Sequence, residues 1–111
     1  MTKTAQNFEM WQGDTKQLRI SVTGSDNAGY SLTGASLVYI VEVEPKSGSL
    51  IRKTTANDVS ISGSTVTVTL NPIDTLQLEG LYYHEIQALD VLGRVATIMV
   101  GNVKINKSGA N

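Results

Sequence analysis

Between residues 59 and 70 the chain reads VSISGSTVTVTL, with serine or threonine alternating with Val, Ile and Leu on each side of Gly63-Ser64. Alternation of this kind is the period of a strand with one buried face. A two-residue Gly63-Ser64 loop, with glycine supplying the positive φ of a type II′ turn, pairs Ile61 with Val66, Val59 with Val68 and Ser60 with Thr67. The apolar side chains then share one face and the hydroxyls the other. A one-residue slip would spoil both, so turn chemistry and burial agree on a single register. Such a one-sided antiparallel hairpin needs a second sheet to cover it.

The same alternation recurs along the chain. Phe8 and Met10 alternate with polar neighbours in a short first strand, and Trp11 precedes a turn at Gln12-Gly13-Asp14. Leu18, Ile20 and Val22 mark a half-buried strand within residues 15–23, followed by a loop of composition GSDNAG at 24–29. Residues 35–44, ASLVYIVEVE, are apolar on both faces, which predicts a central strand or one covered from outside by a partner. Pro45 to Gly48 is a turn. Residues 49–54 return as an edge strand whose Arg52 and Lys53 discourage edge-to-edge pairing. Asn71 and Pro72 open a short helical crossover in which Leu76 and Leu78 plug the end of the core. Residues 82–88 alternate again and open a second hairpin, 82–100, around Asp90 to Gly93; a Val91-Leu92-Gly93 loop with Gly93 left-handed puts Ala88 opposite Ala96 and Ile86 opposite Ile98. Beyond Val100 the apolar positions change parity to Val103 and Ile105, which places a β-bulge at Gly101.

Seven or eight strands, turns at intervals of about 8–12 residues and one short helical crossover at 72–78 predict an all-β, immunoglobulin-like antiparallel sandwich. A small closed barrel is the alternative. The 111 residues are expected to form a single domain, with 1–6 and 107–111 as flexible tails. Hydrophobic residues make up 41% of the chain, too many for a disordered one. A net charge of −1 gives no basic surface for nucleic acid, and no apolar run approaches a membrane span of about 20 residues. Without cysteine, disulfides and thiolate metal sites are excluded, and the expected place of folding is a cytoplasm.

Reactive constellations are sparse, so no enzyme activity, catalytic residue, metal or cofactor is expected. His84 is the only histidine, and Glu85 beside it points to the opposite face of the strand, so the two cannot share one ion. A satisfied or surface histidine is the simpler reading. Glu42 and Glu44 share a strand face, as a pair of glycosidase acids does, but two glutamates near a strand end read first as a solvated face. Trp11 reads first as a residue packed over the end of the sandwich. Its other reading, a stacking platform for sugar, defines a carbohydrate-binding module as the functional alternative, although a sugar site usually offers several aromatics and only 5% of this chain is aromatic. Tyr82, two residues after Gly80, fits a tyrosine corner with its hydroxyl bonded to the preceding crossover. Tyr83 faces the other way, as a surface contact.

Several of these pieces occur in a particular order. Gly13-Asp14-Thr15 enters an alternating strand, and Leu32-Thr33-Gly34-Ala35 leads into an apolar one. Asp74-Thr75-Leu76 follows, then Gly80-Leu81-Tyr82-Tyr83-His84-Glu85-Ile86, then Asp90 to Gly93 before a last strand. From about Gln12 to Ile105 this order resembles the N-terminal immunoglobulin-like domain of phage upper-baseplate and tail-fibre proteins. The resemblance implies a non-enzymatic structural protein of a virion, made in the host cytoplasm. It would attach to or bridge other particle proteins and copies of itself as part of a tail, baseplate or fibre anchor. A head-decoration, head-fibre or neck protein is the alternative within the same class. The surfaces left for assembly are the N-terminal segment 1–10 with Phe8 and Met10, Trp11, the outer face of 35–44 with Val38 and Ile40, and Tyr83. A free tail beside a sandwich can add a strand to a neighbour.

Overall fold

A computed structural model describes residues 4–22, 32, 34–90 and 92–108. Among them run nine strands and one helical turn: β1 (Thr4–Ala5), β2 (Phe8–Trp11), β3 (Lys16–Ser21), β4 (Ser36–Glu42), β5 (Ile51–Thr54), β6 (Val59–Ser62), β7 (Thr65–Leu70), α1 (Pro72–Thr75), β8 (Gly80–Leu89) and β9 (Val95–Asn106). They form an all-β sandwich. One sheet runs β1-β9-β8-β4-β5, with β2 also on β9; the other runs β3-β7-β6. The predicted loop at 24–29, Thr33 and Val91 lie outside the described residues.

The 59–70 hairpin has the register its turn dictates. Val59 pairs with Val68, Ser60 with Thr67 and Ile61 with Val66, and Gly63 has φ 62°. Strand β7 lies between β6 and β3, and Val66 and Val68 are fully buried beside Leu18 and Ile20. Strand β4 is central in the other sheet, between β5 and β8, and sends Leu37, Tyr39 and Val41 into the core. This accounts for its two apolar faces: one fills the sandwich and the other floors its outer surface.

The crossover also forms as its sequence directs. Asn71 is the N-cap, Pro72 occupies the first turn, and the Asp74 carboxylate accepts the Asn71 amide at 2.6 Å. Leu78 packs against the core, but Leu76 is exposed, because the helix buries Thr75 instead. The Thr75 hydroxyl accepts the amide of Gly13, and the Gln12 side-chain amide donates to the Leu78 carbonyl, so the crossover is pinned to the turn after β2. The Tyr82 hydroxyl donates to the Glu79 carbonyl at 2.9 Å and accepts the Glu79 amide at 3.0 Å, completing the tyrosine corner.

Five expectations need correction. The sheets are not wholly antiparallel: β1 and β2 run parallel to β9, and Thr4 and Ala5, expected in a flexible tail, pair with Met99 and Val100. Ile86 faces Met99, not Ile98, because the register shifts between Ile86 and Gln87, where Ile98 is the extra residue. The bulge therefore precedes Gly101, and both Ile98 and Met99 are buried at the parity change. Lys53 does not guard the edge of β5. It is buried, with its ammonium 2.8 Å from Asp58 and 2.8 Å from Asp74. Burial opposes its charge, but the bonds to the two aspartates outweigh this and hold its pKa above the ordinary lysine value.

Candidate interaction surface

The outward side chains of β4 and β8 build an open groove on the larger sheet. Val38 lies opposite Gln87 and Thr54, and Ile40 opposite Glu85 and Arg52. Val38 and Ile40 are half-buried and floor an open groove of about 230 Å³. Glu42, Lys46, Glu85 and Gln87 complete its lining. Two aliphatic side chains are thus set among a cation, two carboxylates and an amide, the mix of apolar floor and polar rim found in protein contact surfaces.

Hydrogen bonds fix the shape of this groove. Glu42 ends β4 and is buried; its carboxylate accepts the amides of Lys46 at 3.2 Å and Gly48 at 3.0 Å. These bonds shape the 45–48 turn, in which Lys46 has φ 68° and Gly48 φ 109°. Glu42 is thus a structural carboxylate, while Glu44 is exposed on the turn. The Tyr83 hydroxyl donates to Glu85 at 2.8 Å and orients that carboxylate. Burial, followed by the bond to Glu85 and the neighbouring carboxylate charges, pushes the Tyr83 phenol up to about 12, so it remains a donor at neutral pH.

The six residues expected at the surface divide sharply. Val38, Ile40 and Tyr83 lie on the outer face of one sheet, though Tyr83 does not line the groove. Trp11 is 54% exposed at the end of β2, next to Asn106, and so is not packed over the sandwich end. Met10 is in the core and offers nothing to a partner, because β2 turns that side chain inward against the sandwich. Phe8 is half-buried, with its ring 5.4 Å from that of His84 and the Lys16 ammonium 5.5 Å from its centroid. The N-terminal segment is not a free strand either: from Thr4 to Trp11 it spends its backbone on β9 of the same chain.

His84 is fully buried, and both ring nitrogens are bonded. Nε2 lies 2.6 Å from the Gln6 carbonyl and Nδ1 lies 3.0 Å from the Tyr39 hydroxyl. A carbonyl only accepts, so Nε2 carries the hydrogen and Nδ1 accepts from Tyr39. Burial holds the His84 pKa below its ordinary value, partly offset by the Gln6 bond, and burial raises that of Tyr39. The ring is reached through Gly101, which pairs with His84 across β8 and β9. A Cβ at Gly101 would fall on the Gln6 carbonyl oxygen and 2.6 Å from its carbon. Because that carbonyl turns inward, it does not take the parallel-ladder bond from the Asn102 amide; the Asn7 side-chain oxygen accepts it at 2.8 Å. The parity of Gly101 with Met99 and Val103 was the sequence signal for this gap. Its partner, a backbone carbonyl 95 residues away (101 − 6), left none.

Among the described residues, no three His, Asp or Glu side chains gather as a metal site, and no helix is long and apolar enough to cross a membrane. No family model matches the chain, and no curated protein matches it.

Proposed function

We propose that this chain is a non-enzymatic structural protein of a bacteriophage particle, a sandwich module that attaches to neighbouring particle proteins through the outer face of its larger sheet. The observation that carries the reading is the Val38–Ile40 groove: two apolar side chains on the outer face of a central strand, in a rim held rigid by Glu42 and by the Tyr83–Glu85 bond. The ordered resemblance to phage baseplate and fibre domains supplies the setting. A tail, baseplate or fibre anchor is the first placement, and a head-decoration or neck protein the second. Mass spectrometry of purified particles tests it. The expected result is this chain at a fixed stoichiometry to the other particle proteins; its absence from clean particles would reject the proposal.

A carbohydrate-binding role is the second reading, favoured by one observation, the exposure of Trp11. Stacking of a sugar on that indole would quench or shift its fluorescence. An unchanged signal across a broad glycan panel would dismiss it.

A further inference from the structure

The satisfied geometry around His84 exists for only one protonation state. A proton added at Nδ1 makes both ring nitrogens donors. The Tyr39 hydroxyl must then accept, and its own hydrogen is left in the core, where its hydrogen bond among the described residues is to His84. The surroundings offer the charged ring no compensation. Strand β4 presents the Tyr39 hydroxyl, β2 the Phe8 ring, and β9 the bare Gly101. The charge that β3 brings up against Phe8 is the Lys16 ammonium, a cation. On β8 itself, Tyr82 and Ile86 share the inner face, while Tyr83 and Glu85 point outward. Among the described residues the Gln6 carbonyl is the acceptor that the ring donates to, and a single carbonyl does not replace water around a buried imidazolium.

What covers the ring is a short segment at the edge of the sheet. Residues 8–13 are held by buried Met10 and by the bonds of Gln12 and Gly13 to the crossover. The described bonds of residues 4–7 to the rest of the chain are two residue pairs, the Gln6 amide on Val100, the Asn7 side chain on Asn102 and the His84 bond itself. We propose that residues 4–7 are an acid-released strap, which closes over His84 while the ring is neutral and leaves β9 when the ring is protonated.

Lifting the strap removes the Gln6 carbonyl from the space above Gly101, and with no Cβ there, water reaches the ring. The sign follows from burial, which disfavours the charged ring only while the strap is closed. The closed state is fully held above the ordinary histidine value of 6.5 and is lost as pH falls from there towards the lowered value of the closed state. Linkage to one proton allows at most a tenfold change in the closed-to-open ratio per pH unit. Opening also bares the backbone of β9 from Met99 to Asn102, an edge able to accept a strand from another chain. That last step rests on the assembly role proposed above; the opening itself does not.

Residue-resolved amide hydrogen exchange of the full chain, corrected for intrinsic rates, tests the strap. Between about pH 7.5 and about pH 5, protection at the Gln6 and Asn102 amides is expected to fall severalfold, with Val66 and Val68 unchanged. In His84→Gln the side-chain amide donates to Gln6 and its oxygen accepts from Tyr39, without titrating, so protection should be the same at both pH values. Should that variant not fold, Gly101→Ala supplies the check: its Cβ displaces the Gln6 carbonyl, giving low, pH-independent protection at Gln6 and Asn102. The proposal fails if the wild-type strap amides are equally protected at both pH values. It fails equally if the loss spreads to Val66 and Val68, or if His84→Gln loses protection as the wild type does. If the strap of the isolated chain opens as expected but purified particles contain no copy of the chain, this inference stands and only the assembly reading falls.

Discussion

Two hairpins of the sandwich, β6–β7 and β8–β9, are built on different principles. In β6–β7 each strand finds its partner across a two-residue turn, and the register is unbroken from Val59–Val68 to Ser62–Thr65. In β8–β9 the strands run up to twelve residues, carry an extra residue at Ile98, and share β9 with a third segment running parallel to it. The first hairpin answers to its own sequence. The second also answers to the N-terminus, whose Gln6 carbonyl occupies the place a side chain at residue 101 would fill. A regular pattern therefore marks where chain neighbours decide the structure, and a break marks where a distant segment does.

Substitutions can break or sharpen this contrast, with urea denaturation as the measurement. The largest loss is expected at the bulge: Ile98→Ala empties a fully buried site and should cost about 3 kcal/mol. Gly101→Ala should cost about 2 kcal/mol, because the new methyl meets backbone rather than a yielding side chain. Gly63→Ala should cost about 1 kcal/mol for a different reason: it has open space but a φ of 62°. Asparagine separates the two causes. Gly63→Asn should recover part of the loss, since asparagine tolerates a left-handed backbone, whereas Gly101→Asn should be worse than alanine. At the other extreme, Thr67→Ala on the outer face of β7 should change stability by less than about 0.5 kcal/mol.

The Lys53 cluster adds a pH test of the join between β5 and the crossover. Its bond to Lys53, more than burial, lowers the Asp58 pKa, so that contribution is present above the ordinary aspartate value of 3.8 and is lost as pH falls through the lowered one. The raised Lys53 value has the opposite sign: its contribution is complete below 10.5 and is lost as pH rises through the folded-state value. Lys53→Met should therefore flatten both arms of the stability profile, removing the support between them.

Legibility in the sequence followed the same division. Alternation and turn residues placed the sandwich, the hairpin register, the capped crossover and the tyrosine corner, since each depends on residues close in the chain. Ala88 opposite Ala96 was readable for the same reason. The parity change past Val100 was visible, but its location was not, because two successive apolar residues, Ile98 and Met99, were both accommodated inside. Lys53 read as an edge charge because its partners lie at Asp58 and Asp74 on other elements. Met10 read as a possible surface contact because a four-residue strand does not say which face meets the core. Of the candidate surface, Val38 and Ile40 were legible from the doubled apolar pattern of β4. The polar lining from Glu42, Lys46, Glu85 and Gln87 emerged only once β4 and β8 were paired.

The N-terminal strand also changes what a truncation would mean. Removing residues 1–10 deletes Met10 from the core and most of the pairing of β2 with β9, so loss of incorporation could follow from loss of folding. The outer face of β4 offers a cleaner probe, because Ile40 is half-buried and lines the groove rather than the core. The most direct test of the account is a competition: wild-type chain and Ile40→Glu supplied together during particle production, and their ratio measured in purified particles after both are shown to fold equally well. The wild type should be enriched at least about tenfold, since placing a carboxylate in an apolar contact costs more than about 1.4 kcal/mol. Equal incorporation of the two chains would contradict it.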